Sequence, residues 1–87
     1  MQWFLYILCS EIKETYYTGV SRNPERRLYF HNNDEKKGYT RRNRPWKIVY
    51  RKAFPTESEA LAAERQVKGW KSKRMIRLLL AGKIDVE

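Results

Sequence analysis

The sequence predicts an α+β domain: a small, three-stranded, mostly antiparallel sheet flanked by helices, in the order strand, strand, helix, strand, helix, helix. Three observations predict it. Residues 3–9, 15–20 and 46–54 are short runs rich in aromatic and branched side chains. Helix-start signatures stand at Asn23-Pro24, Thr56 and Ser72, and the chain has no internal repeat or low-complexity tract. Its 87 residues suit one compact domain over 1–87, too short for a two-domain enzyme, so any site must share residues with the core.

Trp3-Phe4-Leu5-Tyr6-Ile7-Leu8-Cys9 is a continuous apolar run, the pattern of a central strand covered on both faces. A polar stretch follows from Ser10 to Glu14, and strand-favouring residues resume over Thr15-Tyr16-Tyr17-Thr18-Gly19-Val20. The two runs read as an antiparallel hairpin turning near Ile12, with paired numbers summing to about 23 to 25, which puts Tyr6 opposite or next to Tyr17. Asn23-Pro24-Glu25 opens a helix: a capping side chain, a proline at the first helical position, and an acid at the positive end. That helix is expected to run to about Asn32. Asn32 to Pro45, with Gly38 and many charges but no periodicity, reads as a surface loop. Trp46 to Phe54 reads as the third strand, with Trp46, Ile48 and Tyr50 on one face and Pro55 ending it. Thr56-Glu57-Ser58-Glu59 is a capping box for a helix from about Glu57 to Lys68, which Gly69 is expected to break. Ser72 caps a last helix whose Met75, Ile76, Leu78, Leu79 and Leu80 form an apolar stripe before Gly82.

Composition narrows the function. With 41% hydrophobic and 14% aromatic residues the chain is a folded domain, not a disordered tail. Nineteen Lys and Arg against ten Asp and Glu give a net charge of +9. The excess is localised, since residues 21–83 hold 18 bases against 6 acids. A field of that sign attracts polyanions, and nucleic acid is the expected partner. The single Cys9 cannot form an internal disulfide and sits in an apolar run, where a free cysteine packs as a small hydrophobe. No zinc-ligand spacing, signal peptide or membrane span is visible, so a soluble cytoplasmic protein without a membrane partner is expected.

Several residues can carry chemistry. Arg27 and His31 lie four apart, on one face of the first helix, where a guanidinium and an imidazole can grip a phosphate. Either residue is also an ordinary surface or packing side chain, and Tyr6 and Tyr17 are also ordinary core tyrosines. Ala60, Glu64 and Val67 fall at i, i+4 and i+7, which places a carboxylate on the stripe expected to face inward. Such burial needs compensation, by a metal ion or by an internal pair with an arginine.

Tyr17-x-Gly19-x-Ser21, then Arg27 and His31, preceded by Phe4-Leu5-Tyr6-Ile7-Leu8, forms a specific pattern. With Gly38-Tyr39-Thr40-Arg41, Arg44-Pro45-Trp46 and Glu64-Arg65-Gln66-Val67-Lys68-Gly69-Trp70, it resembles the GIY-YIG nuclease superfamily over nearly the whole chain. Within that superfamily it is most similar to small stand-alone members related to the amino-terminal nuclease domain of the UvrC excision-repair subunit. The resemblance implies an endonuclease with Tyr6, Tyr17, Arg27, His31 and Glu64 as the catalytic set. It also implies one divalent cation, Mg2+ or Mn2+, on Glu64, and a tyrosine, first of all Tyr6, helped by Tyr17 or His31, taking a proton from the attacking water. Leu5 and Thr18 depart from the residues that name the motifs. The asparagine that many members carry late in the domain has no counterpart after Asn43.

Arg41, Arg42, Arg44, Lys47, Arg51 and Lys52 occur with no acid between positions 41 and 52, flanked by Tyr39 and Trp46. Cations interleaved with aromatics suit phosphate contact plus stacking on unpaired bases, and Lys68 and Lys71 extend the surface. The expected substrate is nucleic acid, DNA before RNA, single-stranded or structured, with repair or recombination proteins as further partners. The alternatives are a non-enzymatic nucleic-acid-binding module of the same fold and a protein-interaction domain of a repair complex.

Overall fold

A computed structural model of the chain describes residues 2–33 and 38–86, the side chain of Tyr39 excepted. Strands β1 (Trp3–Ser10), β2 (Tyr16–Ser21) and β3 (Trp46–Phe54) form an antiparallel sheet in the order β2-β1-β3. Helices α1 (Pro24–Asn33), α2 (Gly38–Arg42), α3 (Glu57–Trp70) and α4 (Lys73–Leu80) flank it. β1 is central, as its unbroken apolar run requires, and both its faces are covered. Leu5 and Ile7 pack with Phe54, Ala60, Ala63, Val67, Leu79 and Val86 on one side. Tyr6 and Leu8 pack with Trp46, Tyr17, Leu28 and Ile48 on the other.

The hairpin register sums to 25: Tyr6 faces Gly19, and Tyr17 faces Leu8. The two tyrosines are therefore diagonal neighbours on one face, not direct partners. On the other flank the pairing slips between Ile7, which faces Tyr50, and Leu8, which faces Ile48. Val49 is the extra residue of this β-bulge, and it reverses the alternation. Trp46 and Ile48 lie with Tyr6, whereas Tyr50 packs on the α3 side with Val49, correcting the single face expected for all three.

Two element boundaries also differ from expectation. The segment read as a surface loop contains α2, and Thr40 and Asn43 in it are buried. It is tied inward by polar bonds that leave no hydrophobic signature. Ser10 Oγ donates to the Asn43 carbonyl (2.6 Å), the Glu11 amide donates to the Pro45 carbonyl (2.8 Å), and Trp46 Nε1 donates to the Thr40 carbonyl (2.8 Å). Helix α3 runs through Gly69 to Trp70, because one glycine inside an otherwise favourable helix costs only about 1 kcal/mol. The helix ends at Lys71, which takes the left-handed conformation (φ 49°). All three expected amino-terminal caps are present, Asn23 accepting from the Arg26 amide, Thr56 from the Glu59 amide and Ser72 from the Met75 amide.

Trp46 is 2% exposed and its indole N–H is bonded, so it belongs to the core and presents no open face for a nucleobase. Trp46→Ala should destabilise the domain by about 3–5 kcal/mol, read as a fall in the chemical-denaturation midpoint. Trp46→Phe should retain most of that stability, an outcome foreign to a surface stacking residue.

Candidate active site

Tyr6 is the centre of the constellation. It is 2% exposed, and its ring crosses directly over Gly19 on the neighbouring strand. A Cβ built at Gly19 would lie 2.6 Å from the Tyr6 hydroxyl and 2.7 Å from the ring carbon bearing it, so any larger residue there must displace a buried aromatic ring. The glycine is thus needed for close approach and not for an unusual backbone angle.

Arg27 reaches this hydroxyl from the first turn of α1. The turn is fixed by Asn23, whose side-chain oxygen accepts from the Arg26 amide (3.1 Å) and whose carbonyl accepts from the Arg27 amide (3.2 Å). Burial pushes the Tyr6 phenol above its usual value near 10, and a hydrogen bond from Arg27 pulls it back. The neighbouring Tyr17 raises it further, the Arg27 charge lowers it, and the Glu64 carboxylate raises it by the smallest of these effects. Tyr6, Arg27, Tyr17 and Glu64 are therefore within electrostatic reach of one oxygen atom. The balance keeps Tyr6 neutral at physiological pH.

His31 is buried one helical turn beyond Arg27, and its ring lies 4.5 Å from that of Tyr17 at 57°. Tyr17 in turn meets Trp46 edge-on at 6.5 Å. The carboxyl end of α1 is pinned to β3 by a residue that periodicity alone did not flag. The Trp46 amide donates to Asn32 Oδ1 (2.7 Å), and Asn32 Nδ2 donates to the Trp46 carbonyl (3.0 Å). Pro24, Leu28 and Asn32 recur every four residues along the face that packs on the sheet. A polar side chain closing that apolar stripe was the available signal. Arg44, expected as a nucleic-acid contact, donates from Nε to the His31 carbonyl (2.7 Å) and helps to hold the same helix end.

Glu64 does not sit at the centre of the inward stripe, which is Ala60, Ala63 and Val67. Its side chain is 19% exposed and pairs with Lys68 at 3.1 Å, one turn along α3, not with an arginine. It is a partly exposed carboxylate whose charge is felt weakly at the Tyr6 hydroxyl. Among the described residues no group of three or more His, Cys, Asp or Glu side chains converges to hold a metal. One accessible carboxylate still fits a hard cation that keeps most of its waters, as Mg2+ does. The donor set does not fit a ligand-rich centre.

Of the expected nucleic-acid contacts, Arg41, Arg42, Lys47, Lys68 and Lys71 are exposed, and the side chain of Tyr39 lies outside the described residues. Arg51 and Lys52 belong to β3 and are ion-paired, Arg51 with Glu25 and Lys52 with Asp85. A groove of about 610 Å3, lined by Tyr50, Lys52, Leu79 and Asp85 among others, opens where α4 meets the sheet and contains none of the constellation described above.

Residues 2–77 match the family described as the GIY-YIG catalytic domain. The chain belongs to the GIY-YIG family. It is 35% identical over 78 residues to a UPF0213 protein of Staphylococcus saprophyticus, a match covering 88% of this chain and 95% of that one. It is 31% identical over 80 residues to a UPF0213 protein of Staphylococcus epidermidis, covering 91% and 95%. Among solved structures it resembles the solution structure of a UPF0213 protein from Bacillus halodurans, with 32% identity and a TM-score of 0.60 over 95% of this chain and 86% of that one. GIY-YIG proteins are a nuclease family that generally uses a divalent metal, which implies a nucleic-acid substrate. No helix among the described residues is long and apolar enough to cross a membrane.

The contact between Gly19 and Tyr6 predicts a specific coupling. Gly19→Ala should cost about 1–3 kcal/mol by overpacking, and the cost should shrink in a Tyr6→Ala background when both are compared in a denaturation double-mutant cycle. A raised folded-state pKa at Tyr6 stabilises the fold fully below the unfolded value near 10 and is lost as pH rises through the higher folded value. Absorbance titration of wild type minus Tyr6→Phe should therefore show phenolate appearing only above about pH 10, together with a falling melting temperature.

Proposed function

We propose that this chain is a single-domain, metal-dependent endonuclease that hydrolyses phosphodiester bonds, with single-stranded or structured DNA preferred over RNA and a role beside repair or recombination proteins. The observation that carries this reading is the grouping of Arg27, Tyr17 and Glu64 around the buried hydroxyl of Tyr6. A domain that only bound nucleic acid would need surface cations, not a buried neutral phenol hydrogen-bonded by a guanidinium with a carboxylate in electrostatic reach.

In this reading a scissile phosphate sits against Arg27, whose planar, permanently charged guanidinium suits two phosphate oxygens at once. Glu64 would hold the divalent cation, Mg2+ or Mn2+, giving up its pairing with Lys68. A cation bound there supplies Lewis-acid stabilisation of the charge that builds on the phosphate and the leaving oxygen. Water adds to phosphorus, one ester P–O bond breaks, and the departing oxygen takes up a proton. Tyr6 contributes as a neutral hydrogen-bonding group that orients the attacking water. Its deprotonation as a base requires the positive charges that oppose the effect of burial. Tyr17, backed by His31, fixes the position of Tyr6 and supplies a second hydroxyl at the site.

Arg41, Arg42, Lys47, Lys68 and Lys71 would then contact the phosphate backbone on either side, a task needing charge and exposure but no fixed partner. Lys71 adds an independent hint. A lysine in the left-handed region is strained relative to glycine, and strain of this kind is retained where the side chain is useful.

The decisive experiment is cleavage of labelled single-stranded, duplex, flapped and branched DNA and RNA with Mg2+ or Mn2+. Wild type should cut, and Arg27→Ala and Glu64→Ala should each cut at least about 100-fold more slowly while still binding. Equal binding by all three proteins with no cutting of any substrate would replace the nuclease by a binding module of the same fold. Lys71→Gly should raise stability by about 1 kcal/mol and weaken DNA binding, a pair of opposite changes read by thermal melting and fluorescence anisotropy.

A further inference from the structure

Helix α1 carries Arg27 and His31 on one flank and meets β3 with the other, so its fastening to β3 decides where both residues lie. At the amino end Glu25 pairs with Arg51 largely in water, a contact that adds little rigidity. At the carboxyl end Asn32 accepts from the Trp46 amide (2.7 Å) and donates to the Trp46 carbonyl (3.0 Å). One side chain thus takes both backbone groups of a strand residue, as a paired strand would, and fixes distance and direction together. The apolar contacts of Pro24 and Leu28 press the helix onto the sheet but have no preferred direction, and a slide or a roll costs them little.

The ladder relates Tyr17 and Trp46 to Tyr6, because all three lie in one sheet, but it does not place the helix. The Tyr17 ring meets His31 of α1 at 4.5 Å and Trp46 of β3 at 6.5 Å. Asn32 follows His31 in the chain and is bonded to Trp46 itself, so it sets the spacing of the two residues whose rings contact Tyr17. Arg27, whose guanidinium bonds the Tyr6 hydroxyl, lies on the same helix, about 7.5 Å along the axis and about 140° around it from Asn32. Backbone bonds join these turns into one rod, so a shift at the β3 flank is carried to the flank of Arg27 and His31.

We infer that Asn32 is a positioning residue of the candidate active site: through the Trp46 backbone it fixes α1 against the sheet, and so holds His31 on Tyr17 and Arg27 on the Tyr6 hydroxyl. The inference rests on the nuclease reading above and deepens it, since Asn32 itself touches neither the phosphate nor the cation of that reading. Misplacing reacting groups by about 1 Å can cost about 100-fold in rate. Backbone binding through exposed lysines and arginines has no such tolerance to lose, because it depends on charge more than on fixed geometry. Loss of Asn32 therefore falls on turnover and spares affinity.

The test compares wild type, Asn32→Ala, Asn32→Asp and Thr56→Ala. Asn32→Asp keeps an acceptor for the Trp46 amide and loses the donor to its carbonyl, whereas Thr56→Ala lowers stability by removing the cap of α3. Each protein is measured for steady-state cleavage of the DNA that wild type cuts best, for melting temperature, and by proton NMR of His31, the one histidine of the chain. Asn32→Ala should lower kcat by about tenfold or more at unchanged KM, and Asn32→Asp should lower it by less. The ring signals of His31 should move in both, because the ring shifts against Tyr17. Thr56→Ala should keep the kcat and the His31 signals of wild type despite its lower melting temperature. A kcat in Asn32→Ala within about twofold of wild type, or an equal fall of kcat in Thr56→Ala, overturns this inference alone and leaves the nuclease reading standing. Should Asn32→Ala not fold, Asn32→Asp carries the same comparison. If wild type cuts no substrate, the nuclease reading falls and this inference falls with it.

Discussion

The close passage of Tyr6 over Gly19 is the constraint around which the rest of the site is arranged. A tyrosine on a central strand ordinarily projects away from the sheet into the helix layer. Here its ring leans across the neighbouring strand and brings the hydroxyl over a position without a side chain. The phenol therefore ends at the edge of the core, where Arg27 descends from α1 and the field of Glu64 arrives from α3. Replacing the hydrogen at Gly19 by a methyl group would move the one atom that relates the three elements. The register matters for the same reason, since a slip of one residue would turn every side chain of β2 to the opposite face.

Around that atom the two helical flanks have different tasks. On the α1 side the support is rigid and polar: the Asn23 cap starts the helix, the two-way bond between Asn32 and Trp46 ends it, and Arg44 holds the His31 carbonyl. On the α3 side the carboxylate is left partly in water with an exposed lysine as partner, an exchangeable arrangement. A fully buried Glu64 would have demanded a permanent cation from the protein. One fixed wall and one replaceable counter-ion would suit the proposed function, in which the site admits both a phosphate and a metal.

Much of this was legible in the sequence because the signals were local. The unbroken apolar run of β1, the caps at Asn23, Thr56 and Ser72, and the spacing of Tyr17, Gly19, Arg27 and His31 each depend on neighbours along the chain. What escaped depended on distant partners. The bulge at Val49 is a property of the pairing of β3 with β1, and no pattern within β3 announces it. Thr40, Asn43 and Trp46 are tied inward by bonds between distant residues, Ser10 Oγ to the Asn43 carbonyl, the Trp46 indole to the Thr40 carbonyl and the Asn32 side chain to the Trp46 backbone, so a polar, glycine-containing segment looked like a loop over water. Glu64 lies one step around the helix from the stripe, an angular difference too small for a three-residue pattern to resolve.

The charge surplus gains a sharper meaning once its pairs are known. Arg51, Lys52, Lys68 and Arg77 each have a carboxylate, from Glu25, Asp85, Glu64 and Glu14. These pairs lie at least partly in water and add little stability, so their effect is chiefly to cancel field locally. They remove positive potential from β3 and from the groove near Asp85. They leave it on Arg41, Arg42, Lys47 and Lys71, for which the described residues supply no acid. The cancellation of Lys68 by Glu64 would be conditional in the proposed function: a divalent cation taken up by the carboxylate would release the lysine. Metal binding would then raise the local charge by the ion's own two units, leaving the ammonium unbalanced because the ion, and no longer the lysine, compensates the carboxylate. That rise would couple phosphate affinity to metal occupancy through a single salt bridge.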